Sequence, residues 1–418
     1  MGKRISFAKR IWRSLLRWYY HTEKRILSDR NKLEWVIGFF TKLPIQRNKI
    51  VMDNINGRGY GENPKYIAEE LLHRGGKKSK IIWFTNDNSL AFPAGITPVG
   101  KNTLRAYYES ATAKAWVFNC RFGKLTKKRK NQVLLQTWHG GLAIKKVEKD
   151  AEDRLSSWYV SQAIEDGQTV DGIVVDSKPN EEIFLRAFWL NQDCELLKCG
   201  SPRVDILIHE KDNQDIKKRV RSALGIDEDA FFVLYAPTFR KQSTVENYIS
   251  SFDDILKAFE SRFGKTTIAY RLHPNAERLM GSVAWGRACA VNATMFPDVQ
   301  ELIIAADCLI TDYSSIAYDF ALIRKPVFLC VKDTEEYIEE RGVYDIFYEQ
   351  PFSLNKSEEA LIRDIQSCSL DEMRKKVDLF YKKYPSYNTG MASKEIVKWL
   401  EKKGFRILTR RVLCRKSV

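Results

Sequence analysis

Residues 309–319 read LITDYSSIAYD, an apolar strand that gives way to hydroxyl side chains where a helix should begin. Unpaired backbone N–H groups and the positive end of the helix dipole favour an anion at such a turn, and Ser314 and Ser315 add hydroxyl donors. A serine at a helix N-terminus is also ordinary capping chemistry. The stretch alone therefore predicts either a phosphate-binding turn or a plain cap, and the other strand ends must decide between them.

The length and the hydrophobic pattern predict two α/β domains. A chain of 418 residues exceeds the usual size of a single core, so two domains of about 150 to 200 residues are expected. Apolar runs alternate with helical stretches from residue 49 onward, which is typical of parallel sheets with helices on both faces. The charged stretch 209–227 has no β pattern and separates the two halves as a linker or surface helix. The expected strands are 49–54, 80–85, 115–119, 132–137, 171–176, 196–198, 231–236, 266–271, 293–296, 308–311 and 327–331.

The positive charge lies at the two ends of the chain. Of the net charge of +16, residues 1–50 carry +10 and residues 402–418 carry +7, which leaves −1 for the rest. Residues 1–20 place Trp, Tyr and Leu at helical spacing opposite Arg, a pattern that suits the headgroup layer of an anionic membrane. A basic helix packed on its own protein, or an RNA-binding arm, would show the same pattern. We expect residues 1–45 to associate with a membrane and residues 401–418 to form a basic tail.

Other features exclude several classes of protein. The longest apolar run near the start, residues 35–40, is far shorter than the roughly 20 residues that span a bilayer. Eight cysteines are scattered without a CxxC pair, as in the reduced core of a cytosolic protein. No HExxH or clustered Cys/His pattern predicts a metal site, and residues 57–61 are glycine-rich but lack the GK[ST] ending of a Walker A motif. That glycine-rich run either shapes a substrate site or forms a tight turn into a helix.

Polar motifs follow several of the predicted strands. Ligands of open α/β sheets bind outside the carboxyl ends of the strands, so these positions are the candidate site. His139 follows one strand and is succeeded by Gly140 and Gly141, which allow a close approach to the backbone. His273 follows another strand in the second half. A single histidine at a strand end is more often structural, but two of them, facing a serine turn across a cleft, favour a functional site.

Taken as an ordered set, the motifs resemble the CDP-glycerol glycerophosphotransferase family of teichoic-acid primases, polymerases and capsule-assembly relatives. The resemblance covers about residues 45–400. It implies a GT-B-like fold of two Rossmann-like domains, peripheral attachment to the cytoplasmic face of the cell membrane, and transfer of a polyol phosphate from a CDP-activated donor. The motifs are NINGRGYGENPKYIAEEL (54–71), TWHGGLAIKKVEKD (137–150), GSPRVD (200–205), YAPTFR (235–240), RLHP (271–274) and TDYSSIAYD (311–319).

The resemblance also implies roles for individual residues. His139 matches the family histidine that acts as general base on the acceptor hydroxyl. His273, Ser314 and Ser315 match positions that hold the donor pyrophosphate. We expect residues 46–208 to form the acceptor-side domain and residues 209–400 the donor-binding domain, with no tightly bound cofactor. The further donor-side candidates are Arg240, Arg271, Thr311, Asp312 and Asp319, and the acceptor-side candidates are Gly140, Gly141 and Lys145.

The chain departs from the family pattern at one position, and four basic residues have two possible roles. Many polymerases of the family have Thr followed by Pro-Leu-Lys where this chain has Gly141, and this bears on the acceptor more than on the donor. Lys145, Lys146, Arg203 and Arg240 are candidate phosphate clamps, although each also suits a plain surface charge.

The sequence therefore predicts an enzyme that transfers glycerol phosphate, or a related polyol phosphate, from CDP-glycerol or CDP-ribitol. The expected acceptor is a hydroxyl of a membrane-linked saccharide or of a growing polymer, CMP is released, and no nucleic acid takes part. The alternative enzyme is a GT-B nucleotide-sugar glycosyltransferase, because a fold alone does not fix the donor. A non-catalytic membrane or nucleic-acid binder ranks third, because it leaves the strand-end motifs unexplained.

Overall fold

The computed structural model describes residues 21–75, 79–87, 89–122, 127–238, 248–249, 252–272 and 290–408. Within these residues the strands form two separate sheets in which every strand pair is parallel. This confirms the predicted α/β class with parallel sheets.

Among the described residues, the first sheet has seven strands in the order β3-β2-β1-β4-β5-β6-β7. Apolar side chains cover both of its faces, as expected for parallel strands. Ile50 and Met52 point into one core, and Val51 between them points into the other. The strands are β1 (Gln46–Asp53), β2 (Lys80–Thr85), β3 (Ile96–Gly100), β4 (Ala113–Phe118), β5 (Val133–Gln136), β6 (Gly172–Val174) and β7 (Glu195–Leu197).

The second sheet, again counted over the described part of the chain, has six strands in the order β10-β9-β8-β11-β12-β13. In both sheets the first strand of the unit is central, and the strand order reverses beside it, between β1 and β4 and between β8 and β11. Such a reversal is where α/β proteins form their ligand crevices. The strands are β8 (Phe231–Tyr235), β9 (Thr266–Tyr270), β10 (Ala290–Asn292), β11 (Cys308–Thr311), β12 (Val327–Cys330) and β13 (Leu354–Asn355).

Helices connect the strands, and side-chain caps fix several of their ends. Ser177 Oγ, for example, accepts a hydrogen bond from the Asn180 backbone N–H, and Gly225 ends another helix in the left-handed conformation. The helices are α1 (Arg30–Phe40), α2 (Glu62–Gly75), α3 (Leu104–Thr112), α4 (Ser157–Thr169), α5 (Lys178–Ala187), α6 (Pro202–Glu210), α7 (Gln214–Leu224), α8 (Phe252–Phe263), α9 (Val299–Ala305), α10 (Ile316–Leu322), α11 (Thr334–Arg341), α12 (Glu358–Ser367), α13 (Leu370–Lys383) and α14 (Ala392–Lys402).

The structure differs from the predicted strands at the sheet edges. The strand expected at 293–296 lies instead at Ala290–Asn292, because residues 293–296 form a turn closed by a Phe296 N–H to Ala293 carbonyl bond. Strands β3 and β13 were missed: β3 contains Pro98, which only an edge strand tolerates, and β13 has two residues. The charged stretch after residue 209 contains α7, as a surface helix would.

The C-terminal helix α14 belongs to the core of the first sheet, although the sequence boundaries placed it in the second domain. Ile396, Val397 and Leu400 are fully buried there. Trp399 packs beside them, and its indole N–H donates to Glu195 at the start of β7 over 2.7 Å. The apolar stripe of α14 needs a buried face, and the first sheet supplies it, so the chain crosses back after the second unit.

No helix in the described part of the chain is long and apolar enough to cross a membrane.

If α14 completes the first core, Ile396→Ala will lower the free energy of unfolding by about 2–5 kcal/mol, because it leaves a cavity under the sheet. Lys398→Ala on the exposed side of the same helix is the control, with an expected change of about 0.5 kcal/mol or less. Denaturant unfolding of both variants measures the difference. Equal effects would contradict the packing of α14.

Candidate active site

The carboxyl ends of the two sheets meet where the strand order reverses. The first unit contributes the turn after β5, which carries His139, and Asn119 after β4. The second unit contributes the turn after β11, which carries Ser314 and Ser315. A hydrogen bond from the Gly141 backbone N–H to Ser315 Oγ, 3.3 Å long, joins the two turns directly. The structure therefore brings the predicted histidine turn and the predicted serine turn together.

His139 is held in one tautomer. Its Nδ1 lies 2.7 Å from the backbone carbonyl oxygen of Asn119, and a carbonyl can only accept, so Nδ1 carries the proton. Nε2 is then the unprotonated nitrogen with a lone pair. The support is itself rigid, because the buried Asn119 side chain donates to Asn54 Oδ1 and accepts from the Ile55 backbone N–H. His139 is accessible from the junction of the units, although protein groups surround its ring.

The surroundings keep the His139 ring uncharged. Protein atoms around the ring displace water and lower its pKa below the usual value, which outweighs the hydrogen bond to Asn119. Nearby charges act in both directions: Glu62 raises the pKa of His139, whereas Arg203 and Lys145 lower it. A neutral imidazole with a fixed Nδ1–H and a bare Nε2 is suited to accept a proton at neutral pH.

A buried ion pair crosses between the units beside this turn. Arg203, at the start of α6, is 6 % exposed, and its Nη2 lies 3.1 Å from an Asp319 oxygen on α10. Its Nη1 lies 3.4 Å from Glu62 Oε2 at the start of α2. Burial raises the pKa of Asp319 to about 6, against the opposing effect of Arg203. Arg203 was a candidate phosphate clamp in the sequence, but two carboxylates already neutralise it.

Gly141 lies inside this cluster. A Cβ at this position would stand 3.3 Å from Arg203 Nη2 and 3.7 Å from both Ser315 Cβ and an Asp319 oxygen. Its carbonyl accepts a 3.0 Å hydrogen bond from the Asn180 side chain. A side chain at residue 141 would therefore be crowded by both units, whereas one at residue 140 would have more room.

Ser315 does not act as a plain cap. It precedes α10, but within the described residues its side chain makes no capping hydrogen bond and instead accepts from Gly141. Ser314 Oγ lies 3.5 Å from the Ile316 backbone N–H, at the limit of a hydrogen bond. Both serines are half-buried at the junction of the units. The plain-cap interpretation therefore does not hold for Ser315, and anion binding at this turn stays a prediction.

Three predicted donor-side residues bind the protein's own backbone instead. Thr311 Oγ1 donates to the Ala236 carbonyl over 2.6 Å, and Asp312 accepts from the Thr238 N–H over 2.8 Å. The Arg271 guanidinium donates to the carbonyls of the turn after β10, at 3.1 Å and 2.6 Å. These side chains hold the loops around the site, and their contact with a ligand stays a prediction.

Of the remaining predicted residues, two lie outside the described part of the chain and one lies within it. His273 and Arg240 lie outside the described residues. Lys145 is half-buried close enough to His139 to affect its pKa.

The segment after His139 is shared by both units. Leu142 and Ile144 come from the first unit but are buried in the hydrophobic core of the second sheet. The Ile144 carbonyl accepts from the Tyr344 N–H over 3.0 Å, and the Lys146 N–H donates to the Gly342 carbonyl over 3.1 Å. The position of His139 therefore depends on the second unit as well as the first.

Three residues of this arrangement were not predicted from the sequence. Asn63 Nδ2 donates to the Trp138 carbonyl over 3.0 Å, and its Oδ1 accepts from the Arg203 N–H. Asn119 fixes the His139 tautomer, and Glu62 faces Arg203. Asn119 directly follows an apolar strand, so the strand-end rule that selected His139 also applies to it. Glu62 and Asn63 lie within the motif of residues 54–71, but they follow no predicted strand, so the strand-end rule does not select them.

The described residues contain no group of three or more His, Cys, Asp or Glu side chains that is arranged to hold a metal ion.

Comparison with known proteins gives consistent results. The model of the family described as CDP-glycerol:poly(glycerophosphate) glycerophosphotransferase matches residues 36–402. A teichoic acid poly(glycerol phosphate) polymerase of Staphylococcus epidermidis is 27% identical over 398 residues, which are 90% of this chain and 54% of that protein. The chain thus spans about half the length of that relative. A teichoic acid glycerol-phosphate transferase of Staphylococcus aureus is 26% identical, over 85% of this chain and 93% of that protein.

A solved structure has the same architecture. The wall teichoic acid polymerase TagF superposes with a TM-score of 0.78 at 25% identity, covering 94% of this chain and 97% of that one. Both are α/β proteins with parallel sheets in a GT-B-like arrangement. A histidine variant of TagF was also solved after a soak with CDPG.

The crowding at Gly141 leads to a stability prediction. We expect Gly141→Ala to lower the free energy of unfolding by about 1–3 kcal/mol, because the new methyl group must displace Arg203 or the loop. Gly140→Ala is the matched control: its Cβ would stand 3.5 Å from the nearest Trp138 atom, an ordinary contact, so a change of about 0.5 kcal/mol or less is expected. Equal denaturation midpoints for the two variants would show that the junction accommodates a methyl group at residue 141 without loss of stability.

Proposed function

Because the chain belongs to the CDP-glycerol:poly(glycerophosphate) glycerophosphotransferase family, we propose that it transfers glycerol phosphate, or a related polyol phosphate, from CDP-glycerol to an acceptor hydroxyl with release of CMP. The acceptor is a membrane-linked saccharide or a growing polyol-phosphate polymer of teichoic acid or capsule synthesis. The observation that carries the proposal is the fixed tautomer of His139, whose Nε2 is available at the junction with the serine turn.

In the proposed reaction His139 is the general base. The acceptor oxygen attacks the phosphorus of the polyol phosphate, and its proton moves to Nε2. The bond from that phosphorus to the bridging oxygen breaks, and CMP leaves with the electron pair. Charge builds on the phosphoryl oxygens and on the leaving group, so preorganised donors at that point accelerate the step.

The second unit supplies those donors in this proposal. Ser314 and Ser315 bring hydroxyl groups to the turn before α10, and His273 and Arg240 are assigned to the same donor-binding site from their motifs. Thr311, Asp312 and Arg271 support the site by holding its loops. Asp319 sets the position of the turn through Arg203. Lys145, Gly140 and Gly141 line the acceptor side.

The donor follows from the relatives. The family description and the name of the S. aureus relative specify glycerol phosphate, and TagF was solved with CDPG, so CDP-glycerol is the first donor to test. CDP-ribitol is the second, since the two polyols differ by two carbons and no described residue selects between them.

The test is CMP release from CDP-glycerol, and separately from CDP-ribitol, by the purified protein with a lipid-linked saccharide acceptor. We expect acceptor-dependent release that His139→Ala lowers by about 10²- to 10⁴-fold, the usual contribution of a general base. His273→Ala is expected to suppress release as well. His73→Ala, at an exposed position on α2, is the matched control and keeps wild-type activity. Turnover of a UDP-sugar without release from either CDP-polyol would instead identify a nucleotide-sugar glycosyltransferase.

We also propose that the protein works at the cytoplasmic face of the cell membrane, held by residues 1–45 and 401–418. Residues 1–20 and 409–418 lie outside the described residues, so the argument rests on their basic, amphipathic sequence and on α1. Trp35 and Phe39 on α1 are 74 % and 53 % exposed. Aromatic side chains beside a basic segment suit an anionic membrane surface.

Vesicle flotation of the full chain tests this attachment. We expect binding to vesicles that contain anionic lipid, weaker binding at high salt, and a several-fold loss in the variant Trp35→Ala/Phe39→Ala, because both aromatic anchors are removed. Trp158→Ala serves as the control, since this tryptophan is 68 % exposed but lies on α4, away from the N-terminal helix. Equal flotation of all three proteins would show that α1 does not contact the membrane.

A further inference from the structure

The backbone between His139 and the second unit contains two glycines. Gly140 and Gly141 directly follow His139, and glycine leaves the chain more conformational freedom than any other residue. The next residue, Leu142, is buried in the core of the second sheet. The two glycines therefore lie between the turn that carries His139 and the point where the chain is anchored in the other unit. A fixed position of this segment requires contacts from outside it.

The Asn180 side chain, on α5, supplies such contacts. Its Nδ2 donates to the Gly141 carbonyl over 3.0 Å, and its Oδ1 accepts from the Ala143 backbone N–H over 2.9 Å. One carboxamide thus holds the peptide group before Leu142 and the peptide group after it. Asn180 is only 1 % exposed, so water has little access to these bonds.

The orientation of the Asn180 amide follows from its partners. The Gly141 carbonyl can only accept and the Ala143 N–H can only donate, so Nδ2 must face the former and Oδ1 the latter. The remaining Nδ2 hydrogen is also used, in a 2.6 Å bond to Asp176 Oδ1. A buried polar group whose donors and acceptor all have partners is held rigidly.

The residues that support Asn180 are themselves fixed. Ser177 Oγ caps the start of α5 and donates to Asp176 Oδ1 over 2.9 Å. The Asp176 carbonyl accepts from the Tyr387 N–H over 2.7 Å, on the segment that leads from the second unit to α14. Asn180 therefore connects the segment after His139 to the place where the chain returns to the first unit.

We infer that Asn180 is a positioning residue for the proposed reaction, because its carboxamide holds the backbone that sets the position of His139 relative to the serine turn. This inference rests on the proposed function and adds a residue to it. None of the six sequence motifs contains Asn180. The residue acts through Gly141, whose N–H donates to Ser315 Oγ over 3.3 Å.

The expected consequence concerns geometry more than donor binding. Without the Asn180 carboxamide, the peptide groups around Leu142 lose two hydrogen bonds and the torsions of the two glycines become freer. Fewer molecules then hold His139 Nε2 within reach of the acceptor hydroxyl, and a misplacement of about 1 Å can cost on the order of 10²-fold in rate. The serine turn belongs to the second unit, so the affinity for the donor is expected to change little.

The experiment compares Asn180→Ala with Asn355→Ala as the matched control. Asn355 is also buried, but it lies on β13, at the far edge of the second sheet. Its Nδ2 likewise donates to a carbonyl and to a carboxylate, those of Leu329 and Asp364, each over 3.0 Å. Both substitutions thus remove a buried carboxamide with the same kinds of partner. We expect both to lower the denaturation midpoint.

The kinetics of CMP release separate the two variants. We expect Asn180→Ala to lower kcat by about 10- to 100-fold, with the KM for CDP-glycerol within about twofold of the wild-type value, because the base is misplaced and the donor site is not. Asn355→Ala is expected to keep the wild-type kcat. A wild-type kcat in Asn180→Ala, or an equal loss in both variants, would overturn the inference.

A second measurement needs no substrate. Amide hydrogen exchange, followed by mass spectrometry of the full chain, reports on the N–H groups of residues 140–143. We expect exchange there to be at least about tenfold faster in Asn180→Ala than in the wild type, and unchanged in Asn355→Ala, because only the former loses local contacts of this segment. Unchanged exchange in Asn180→Ala would also overturn the inference.

Asn180→Asp replaces the alanine variant if the latter does not fold. It keeps an oxygen for the Ala143 N–H but places another oxygen against the Gly141 carbonyl, so we expect faster exchange and a lower kcat here too. Failure of the wild-type protein to release CMP from any CDP-polyol would instead overturn the proposed function. The exchange measurement then still decides whether Asn180 holds the segment after His139.

Discussion

The buried ion pair between Arg203 and Asp319 is the constraint on which the arrangement of the two units depends. Both side chains are almost fully buried, and each comes from a different unit. An unpaired charge at such a position is strongly unfavourable, so separation of the units must either admit water or leave two ions without partners. The contact brings the start of α6 against α10. It thereby places the serine turn, which immediately precedes α10, beside Gly141.

The site also cannot be assigned to one unit, because the segment after His139 is shared by both. The turn that carries His139 continues into Leu142 and Ile144, which are buried in the other unit's core, and into backbone hydrogen bonds with residues 342–344. A relative movement of the sheets would therefore displace the histidine turn and the serine turn together. The loop is shared by both units, so the distance from His139 to the serine turn is set by packing.

The sequence predicted what depends on local pattern and not what depends on long-range contacts. Strand ends are visible in one sequence because apolar runs stop at polar residues, and this was enough to select the two turns, with His139 and Ser315, that the structure brings together. The same rule cannot tell which way a polar side chain points, so it did not predict that Thr311 and Arg271 donate to backbone carbonyls. The pairing of Arg203 with Asp319 spans 116 residues and has no local signal. The packing of α14 on the first sheet is also a long-range contact, so no local pattern in the sequence predicts it.

The charge balance of the site also bears on how it handles phosphate. Arg203 is neutralised by Glu62 and Asp319, and Lys65 is paired with Asp298. Because their charge is balanced by carboxylates, these cations contribute little net positive charge to the binding of a pyrophosphate. In the proposed reaction the donor must therefore be met by hydroxyl and backbone N–H groups of the serine turn, and by the residues that follow β8 and β9. The sequence of those segments contains Arg240, His273 and Arg278. Of these paired carboxylates, Glu62 is the one whose charge raises the pKa of His139.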